Sequence, residues 1–294
     1  MNTAVPGRYA RWVAGARPRT LPVSVVPVLV GAGVARPVPT LWGRLALCVI
    51  VALSLQVGTN YVNDYADGIR GTDEQRVGPL RLTASKLASP GAVRGAAFTA
   101  FGVAAAAGFW LAALTSWWLI AIGAAALIAG WTYTGGPRPY GYAGMGELFV
   151  FAFFGLVATA GTSFCLTGSV TGLAVLAGCA MGFLSCAVLG ANNLRDIAGD
   201  VDAGKRTLAV RLGRRAAGWL YVLCVAGGFA CALGCAPFRE GALLVIIAIP
   251  FALPPVRTVL GDAAGRALLP VLIATVRVLL LVGVTLTIGL WWSA

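Results

Sequence analysis

Two short segments of the sequence carry carboxylates and amides at helical spacing. They are Asn60, Asp64 and Asp67 in the first segment, and Asn192, Asp196 and Asp200 in the second. Separations of three or four residues place the members of each set on one face of a helix. The chain contains no histidine, and an oxygen-only ligand set suits Mg²⁺, which proteins usually share with substrate phosphates. The two segments therefore predict a site for magnesium and a diphosphate.

Basic side chains follow both acidic segments along the chain. They are Arg81 and Lys86 after the first segment, and Lys205 and Arg206 after the second. Such cations could neutralise the phosphate oxygens that the metal ions leave over. Bound metal also absorbs the charge of a departing diphosphate. Its departure from an allylic isoprenyl diphosphate would leave a stabilised carbocation.

A simpler interpretation is that the acidic side chains only pair with nearby arginines and screen a basic surface. We favour that interpretation for Asp73, Glu74 and Asp262. For the two spaced sets, the repetition of one pattern at equivalent positions favours a metal site instead.

The rest of the chain supplies the helices that must hold these segments. Of its 294 residues, 59% are hydrophobic and 11% are charged, which excludes a soluble globular domain. A helix needs roughly 20 apolar residues to cross about 30 Å of hydrocarbon. The candidate segments are about 21–38, 44–62, 94–114, 116–134, 146–166, 170–191, 217–236, 241–260 and 268–292. The chain is therefore predicted to be an all-α, multi-spanning transmembrane bundle of about nine helices.

The acidic segments occupy equivalent places in this frame, at the ends of the second and sixth spans. Asp64 and Asp196 are 132 residues apart, and so are the asparagines four residues before them. Four spans separate the segments, and an even number of crossings returns the chain to the same side. The spacing favours a duplicated four-helix unit with a ninth helix added, in a single domain covering 1–294.

The basic residues indicate which side that is. With the N-terminus inside, eighteen of the 22 basic residues fall on the inner side, as do nine of the ten acidic residues. This excess is typical of cytoplasmic loops. We expect the acidic segments to face the cytoplasm and the C-terminus to lie outside. The net charge of +12 does not require a nucleic-acid partner. Basic residues in cytoplasmic loops, which are attracted to anionic membrane lipid, account for it.

At these residues the sequence resembles the UbiA superfamily of intramembrane aromatic prenyltransferases. Four stretches look like the branch that prenylates 1,4-dihydroxy-2-naphthoate in menaquinone synthesis. They are Arg17-Pro-Arg19-Thr-Leu-Pro22, Asn63-Asp64-Tyr-Ala-Asp67 through Arg76-Val-Gly78-Pro79, Tyr133-Thr-Gly-Gly-Pro137 with Tyr140-Gly-Tyr142 and Gly146-Glu147, and Asn192-Asn193-Leu-Arg195-Asp196 through Lys205-Arg206-Thr207 to Gly213. The resemblance covers nearly the whole chain.

The resemblance implies a reaction in a bacterial cytoplasmic membrane. A polyprenyl diphosphate bound with Mg²⁺ between the acidic motifs would ionise, and an electron-rich ring would attack the cation. In the naphthoate branch the ring then loses its carboxylate, giving demethylmenaquinone. The matching metal ligands are Asn60, Asp64, Asp67, Asp196 and Asp200, and the matching substrate-binding residues are Asn63, Arg76, Arg81, Lys86, Asn192, Asn193, Arg195, Lys205 and Arg206.

One position departs from the family pattern. The superfamily often has a further Asp four residues after the one that matches Asp67, but here that residue is Gly71, and Asp73 is the nearest substitute.

The sequence indicates less clearly which residues would bind the aromatic acceptor. Glu147 begins the fifth span, and an acidic residue inside a membrane is a functional candidate, although an early Glu also suits a helix dipole. Tyr133 and Tyr140 could line the pocket and stabilise a cation with their ring faces. Aromatic anchors at the membrane interface are equally common.

Two other functions stay open. The first is a prenyltransferase of the same superfamily with another acceptor, such as hydroxybenzoate, homogentisate, haem or chlorophyllide. The second is a cation-coupled transporter, which would usually place charge near the middle of the bilayer on broken helices. The acidic residues here collect at one edge, which argues against a transport path.

Overall fold

The helical class is confirmed by a computed structural model, which describes residues 7–36, 38–71, 80–261 and 263–293. These residues form α-helices, short 3₁₀ helices and one π-helical segment, with no strand among them. The α-helices are α1 (Arg8–Ala16), α2 (Pro22–Ala35), α3 (Trp42–Ile69), α4 (Pro90–Leu114), α5 (Trp118–Thr132), α6 (Gly146–Val150), α7 (Ala158–Thr167), α8 (Gly172–Asp202), α9 (Leu208–Leu233), α10 (Ile249–Leu260) and α11 (Leu269–Trp292). The π-helical segment Phe151–Val157 joins α6 to α7, and the 3₁₀ helix Glu240–Ala248 leads into α10.

Every segment predicted to cross the membrane overlaps a helical element. The elements that are long and apolar enough to cross are Pro39–Ile69, Pro90–Leu114, Gly146–Thr167, Gly172–Asp202, Leu208–Leu233, Glu240–Leu260 and Gly265–Trp292. One further candidate is the pair Tyr9–Thr20 and Pro22–Ala35, bent by 52°. Helix α5 has only 15 residues, or about 22 Å at 1.5 Å per residue. Among the described residues, α5 and the 14-residue α2 are the predicted spans that by themselves fall short of a full crossing, so seven elements, or eight with the bent pair, are long enough where about nine were predicted.

Helices α3 and α8 carry the two acidic segments. With 28 and 31 residues, they extend well past the apolar stretches of the sequence. Helix α3 ends at Ile69 and α8 at Asp202, so both acidic segments lie in helix. This confirms that each acidic segment prolongs an apolar helix, and we call the end of the bundle where they lie the acidic end.

Helix α8 is the central element of the bundle. Two thirds of its most apolar stretch (67%) is buried. A Cβ at Gly155, in the π-helical segment, would lie 2.5 Å from the Cα of Gly182 in α8, so only glycine permits this approach. Such contacts between small residues are the usual basis of helix packing in membranes. The most extensive helix pairs are α3 with α4 and α8 with α9, the equivalent pairs of the two predicted repeats.

The structure also differs from the predicted boundaries at the start of the seventh segment. Helix α9 begins at Leu208, nine residues before the predicted position. Its first turns carry Arg211, Arg214 and Arg215, so hydropathy does not detect them. The helix breaks at Gly213, with φ 78° and ψ 164°, a conformation that glycine alone adopts readily. The polar first turns of α9, before the break at Gly213, therefore belong to the acidic end.

Candidate active site

Asp67, near the end of α3, is the centre of a buried charged cluster. Its carboxylate is 2% exposed and lies 3.1 Å from Nζ of Lys205 and 3.5 Å from Nη2 of Arg81. The hydroxyl of Tyr142 donates a short hydrogen bond to Oδ1 of the same carboxylate. A buried carboxylate needs such compensation, because desolvation of an unpaired charge is costly. The cluster joins residues from three different inter-helix segments.

Asp64, three residues earlier, fixes the segment that follows α3. Its carboxylate is 1% exposed and accepts the backbone N–H groups of Leu82 and Thr83, at 2.7 and 2.9 Å. Gly68 lies under the same segment, since a Cβ there would lie 2.5 Å from side-chain carbons of Thr83. The first acidic segment thus fixes the backbone of Leu82 and Thr83, directly after Arg81.

The asparagines of the first segment connect it to neighbouring elements. The amide of Asn60 donates to the carbonyl of Ala16 at the end of α1, at 2.9 Å. The side-chain carbonyl of Asn63 accepts the hydroxyl of Thr134 just after α5, at 2.6 Å. Both asparagines are buried. Helices α1, α3 and α5 therefore meet at the acidic end.

The second acidic segment has a different arrangement. Arg195 donates two parallel hydrogen bonds of 2.7 Å, from Nε and Nη2, to the two carboxylate oxygens of the next residue, Asp196. Asp200 accepts the hydroxyl of Thr207 at 3.4 Å, and its backbone carbonyl accepts the N–H of Lys205 at 2.8 Å. The turn after α8 thus places Lys205 beside both acidic segments.

Tyr142 was missed by the sequence analysis as a site residue. It lies in the 3₁₀ turn Tyr140–Ala143, between α5 and α6. Its ring centroid is 4.7 Å from Nζ of Lys205 and 5.4 Å from the guanidinium carbon of Arg70. Its backbone carbonyl accepts the N–H of Arg206, at 2.9 Å. The one signal in the sequence was its place in the tyrosine-rich loop that precedes Glu147.

Glu147 lies deeper than the carboxylates of the acidic end. Its Oε1 accepts the amide of Asn193 at 2.9 Å, and its Oε2 is buried with no hydrogen-bond partner among the described residues. Asn193 precedes Asp196 by three residues of α8, which is almost one helical turn. An acceptor for further hydrogen bonds therefore contacts the start of the second acidic segment, about one turn from Asp196.

An aromatic row extends from this loop along α6 and into the π-helical segment. The ring centroids of Tyr133 and Tyr140 are 5.5 Å apart, those of Tyr140 and Phe149 are 4.0 Å apart, and those of Phe149 and Phe153 are 6.3 Å apart. The Tyr140 hydroxyl donates to the carbonyl of Ala129 at 3.0 Å. Burial, and then the nearby Tyr133, raise the pKa of Tyr140 above its ordinary value. Tyr140 is therefore neutral at physiological pH and offers a ring surface, not a base.

Several predicted site residues lie away from the buried cluster. The side chains of Lys86 and Arg206 are exposed. The amide of Asn192 donates to the carbonyl of Val188 in its own helix, at 3.4 Å. Arg76, Asp73, Glu74 and Asp262 lie outside the described residues.

The donor atoms at the acidic end fit Mg²⁺, although they do not converge on one point. Within the described part of the chain, no group of three or more acidic, histidine or cysteine residues is placed to bind a metal ion. The carboxylates of Asp67 and Asp196 are instead neutralised by cations of the protein. A carboxylate has about four lone-pair sites, so the two N–H bonds to Asp64 leave acceptor capacity. A divalent ion would have to exchange with these cations.

The sequence matches the model of the UbiA prenyltransferase family over residues 24–261. It is 47% identical to a 1,4-dihydroxy-2-naphthoate octaprenyltransferase of Mycobacterium tuberculosis, over 90% of this chain and 91% of that protein. It is also 31% identical to the Escherichia coli protein of the same name, over 97% and 96% of the two chains.

Solved structures of UbiA homologues have the same fold as this chain. A UbiA homologue from Aeropyrum pernix superposes with a TM-score of 0.69, at 15% identity, over 92% of this chain and 98% of that one. A UbiA homologue from Archaeoglobus fulgidus, bound to GPP and Mg²⁺, gives a TM-score of 0.62 at 14% identity, over 94% and 99%.

Proposed function

The chain belongs to the UbiA prenyltransferase family, and we propose that it transfers a polyprenyl group from polyprenyl diphosphate to 1,4-dihydroxy-2-naphthoate. The ring would form a bond to the allylic carbon as diphosphate leaves and would lose its carboxylate as CO₂, so the immediate product would be the quinol form of demethylmenaquinone. The observation that carries this proposal is the 47% identity, over 90% of the chain, to an enzyme with that acceptor in its name. Two family members of known structure superpose on nearly the whole chain.

The donor diphosphate would bind at the acidic end. Asp64, Asp67, Asp196 and Asp200, with the amide of Asn60, would hold Mg²⁺. When bound, Mg²⁺ would withdraw negative charge from the diphosphate as the carbon–oxygen bond breaks. The Archaeoglobus fulgidus homologue binds Mg²⁺ and GPP together, and the oxygen-only donor set here suits the same ion.

The cations that now neutralise the carboxylates would take on a second task. Lys205 and Arg81 contact Asp67, and Arg195 contacts Asp196. With metal bound to those carboxylates, the cations would be available for the diphosphate oxygens. The proposed diphosphate contacts also include Arg206, Lys86, Arg76, Asn63, Asn192 and Asn193, as the family resemblance implies.

The acceptor ring would lie deeper, between Glu147 and the aromatic row. The buried Oε2 of Glu147 has no partner among the described residues, so a phenolic hydroxyl of the acceptor would satisfy it. That hydroxyl must lose a proton as the ring attacks, and a carboxylate within hydrogen-bond reach can take it up. The faces of Tyr133 and Tyr140 would border the allylic cation.

We further propose that the acidic end faces the cytoplasm, in a bacterial cytoplasmic membrane. The support is the distribution of basic residues, eighteen of 22 on one side of the predicted topology, as in other inner-membrane proteins. The C-terminus would then lie on the outer side.

The experiment that tests this function is acceptor competition. Purified protein in detergent is given Mg²⁺, a polyprenyl diphosphate and an equimolar mixture of dihydroxynaphthoate, hydroxybenzoate and homogentisate. Mass spectrometry should detect the prenylated, decarboxylated naphthalene product and released CO₂. Prenylation of another ring, with the naphthoate left intact, would refute the acceptor while preserving the reaction class. No prenylation of any ring would refute both.

A further inference from the structure

Tyr142 contacts two groups that the proposed reaction uses separately. Its hydroxyl donates to Oδ1 of Asp67, and the ammonium of Lys205 lies 4.7 Å from the centroid of its ring. Lys205 and Asp67 also contact each other directly, at 3.1 Å. One side chain thus contacts both a carboxylate proposed to bind metal and a cation proposed to bind diphosphate.

Other contacts hold Tyr142 in this position. Arg70 donates hydrogen bonds of 2.6 Å to the carbonyls of both Thr134 and Gly136, and its guanidinium carbon lies 5.4 Å from the Tyr142 ring. The carbonyl of Tyr142 accepts the N–H of Arg206. The ring is therefore fixed from α3, from its own loop and from the turn that carries Lys205.

We propose that Tyr142 is a positioning residue of the active site, acting on the metal through its hydroxyl and on the diphosphate through its ring. This inference rests on the proposed function, since it concerns the same metal and diphosphate. The two parts of the side chain are predicted to have separable effects.

The hydroxyl acts by orienting the Asp67 carboxylate. A hydrogen bond to a metal-binding carboxylate fixes its rotamer, and removal of such an outer partner typically weakens metal binding about 10- to 100-fold. The ring acts on Lys205 after metal has bound. Metal on Asp67 would displace the ammonium from its ion pair, and the Tyr142 ring, 4.7 Å from Nζ, would then keep Lys205 beside the diphosphate.

Two variants separate these effects, because Tyr142→Phe removes only the hydroxyl and Tyr142→Leu removes the ring as well. Purified full-length chain without substrate is titrated with Mn²⁺, a spectroscopic substitute for Mg²⁺, by electron paramagnetic resonance. Binding of the manganese complex of inorganic pyrophosphate is then measured by calorimetry. We expect Tyr142→Phe to weaken Mn²⁺ binding about tenfold. Tyr142→Leu should bind Mn²⁺ like Tyr142→Phe but bind the pyrophosphate complex about tenfold more weakly than Tyr142→Phe does.

The matched control is Tyr221→Phe. This buried hydroxyl contacts Thr275 at 2.8 Å in the α9–α11 interface, so its loss should leave both affinities unchanged. Wild-type Mn²⁺ affinity in Tyr142→Phe would overturn the role of the hydroxyl, and tighter binding would show that the hydroxyl blocks the carboxylate. Equal pyrophosphate affinity in the two Tyr142 variants would overturn the role of the ring. If the wild type binds Mn²⁺ only as its pyrophosphate complex, weaker binding of that complex by Tyr142→Phe decides the role of the hydroxyl. A wild-type chain that binds neither Mn²⁺ nor this complex would refute the proposed metal site itself, and this inference with it.

Discussion

Nζ of Lys205 lies 3.1 Å from Oδ1 of Asp67, across 138 residues of sequence. Both side chains are buried. The two acidic segments, expected to face each other across a diphosphate, are joined here by a cation of the protein. In this arrangement the positive charge needed by Asp67 is already supplied by Lys205 and Arg81. Ligand binding therefore has to exchange partners within an existing charge cluster.

The first prediction concerns that exchange. Lys205→Met should destabilise the metal-free chain, because loss of one partner from a buried ion pair costs about 3–5 kcal/mol, and Arg81 offsets only part of that. Mg²⁺ should then raise the melting temperature of Lys205→Met more than that of the wild type, since the metal replaces the lost charge. Differential scanning fluorimetry in detergent, with and without Mg²⁺, measures both effects.

Lys86→Met provides the control for stability, since Lys86 is the other lysine of the chain and its side chain is exposed. Its melting temperature should equal that of the wild type. An identical Mg²⁺-dependent shift in Lys205→Met and the wild type would contradict the exchange of cations.

The second prediction compares the two acidic segments. Asp64→Asn and Asp196→Asn should each reduce the rate of the chemical step by orders of magnitude, because each would weaken metal binding to the same leaving group. The double variant should be little worse than either single variant, as expected of residues that act as a unit. Single-turnover measurements should be made at equal amounts of folded protein. Asp202→Asn, at an exposed position two residues beyond Asp200, should retain turnover.

Asp64→Asn and Asp196→Asn should differ in their effect on the backbone after α3. An asparagine at position 64 has one acceptor oxygen where two backbone N–H groups, of Leu82 and Thr83, now donate. Asp64→Asn should therefore speed hydrogen exchange at these two amides, whereas Asp196→Asn should not. Unchanged exchange in Asp64→Asn would show that the carboxylate is not what holds this segment.

The elements that carry the site could be predicted from sequence, but the contacts within it could not. Helical spacing and apolar length place Asp64 and Asp196 at equivalent ends of α3 and α8, because both signals are local and periodic. Tyr142 lies in a loop without periodicity, and its partners Asp67 and Lys205 are 75 and 63 residues away along the chain. Contacts of this kind depend on how three loops fold over the bundle, which no local pattern encodes.

The third prediction is that activity depends on a divalent cation. EDTA should abolish prenyl transfer and added Mg²⁺ should restore it, because every candidate ligand at the acidic end is an oxygen donor. Zn²⁺, which prefers nitrogen and sulfur ligands, should restore it poorly. Full turnover after removal of metal would eliminate the proposed role of the acidic segments.

The fourth prediction concerns topology. A reporter fused after Ala294 should be active on the outer side of the membrane, since nine crossings would separate it from an inner N-terminus. Helix α5, with 15 residues, is too short by itself for a full crossing and is the span that this experiment must test. A second fusion after Thr115, between α4 and α5, should also be outside, and a fusion after Arg138 should be inside. Fusions at 115 and 138 on the same side would show that α5 does not cross.

The last prediction separates the acceptor site from the metal site. Glu147→Gln keeps the shape of the side chain but removes the charge that could accept a proton, and loss of general base catalysis typically costs about 10²- to 10⁴-fold in rate. Turnover should therefore fall, while the affinity for Mn²⁺ stays at the wild-type value, because no described metal candidate contacts Glu147. Glu240→Gln, an exposed acidic residue at the start of the 3₁₀ helix before α10, controls for the general loss of a negative charge. Steady-state rates at varied dihydroxynaphthoate, together with Mn²⁺ titrations, distinguish the outcomes. A fall in Mn²⁺ affinity would mean that Glu147 supports the metal site, and normal turnover would mean that its contact with Asn193 serves only to pack α6 against α8.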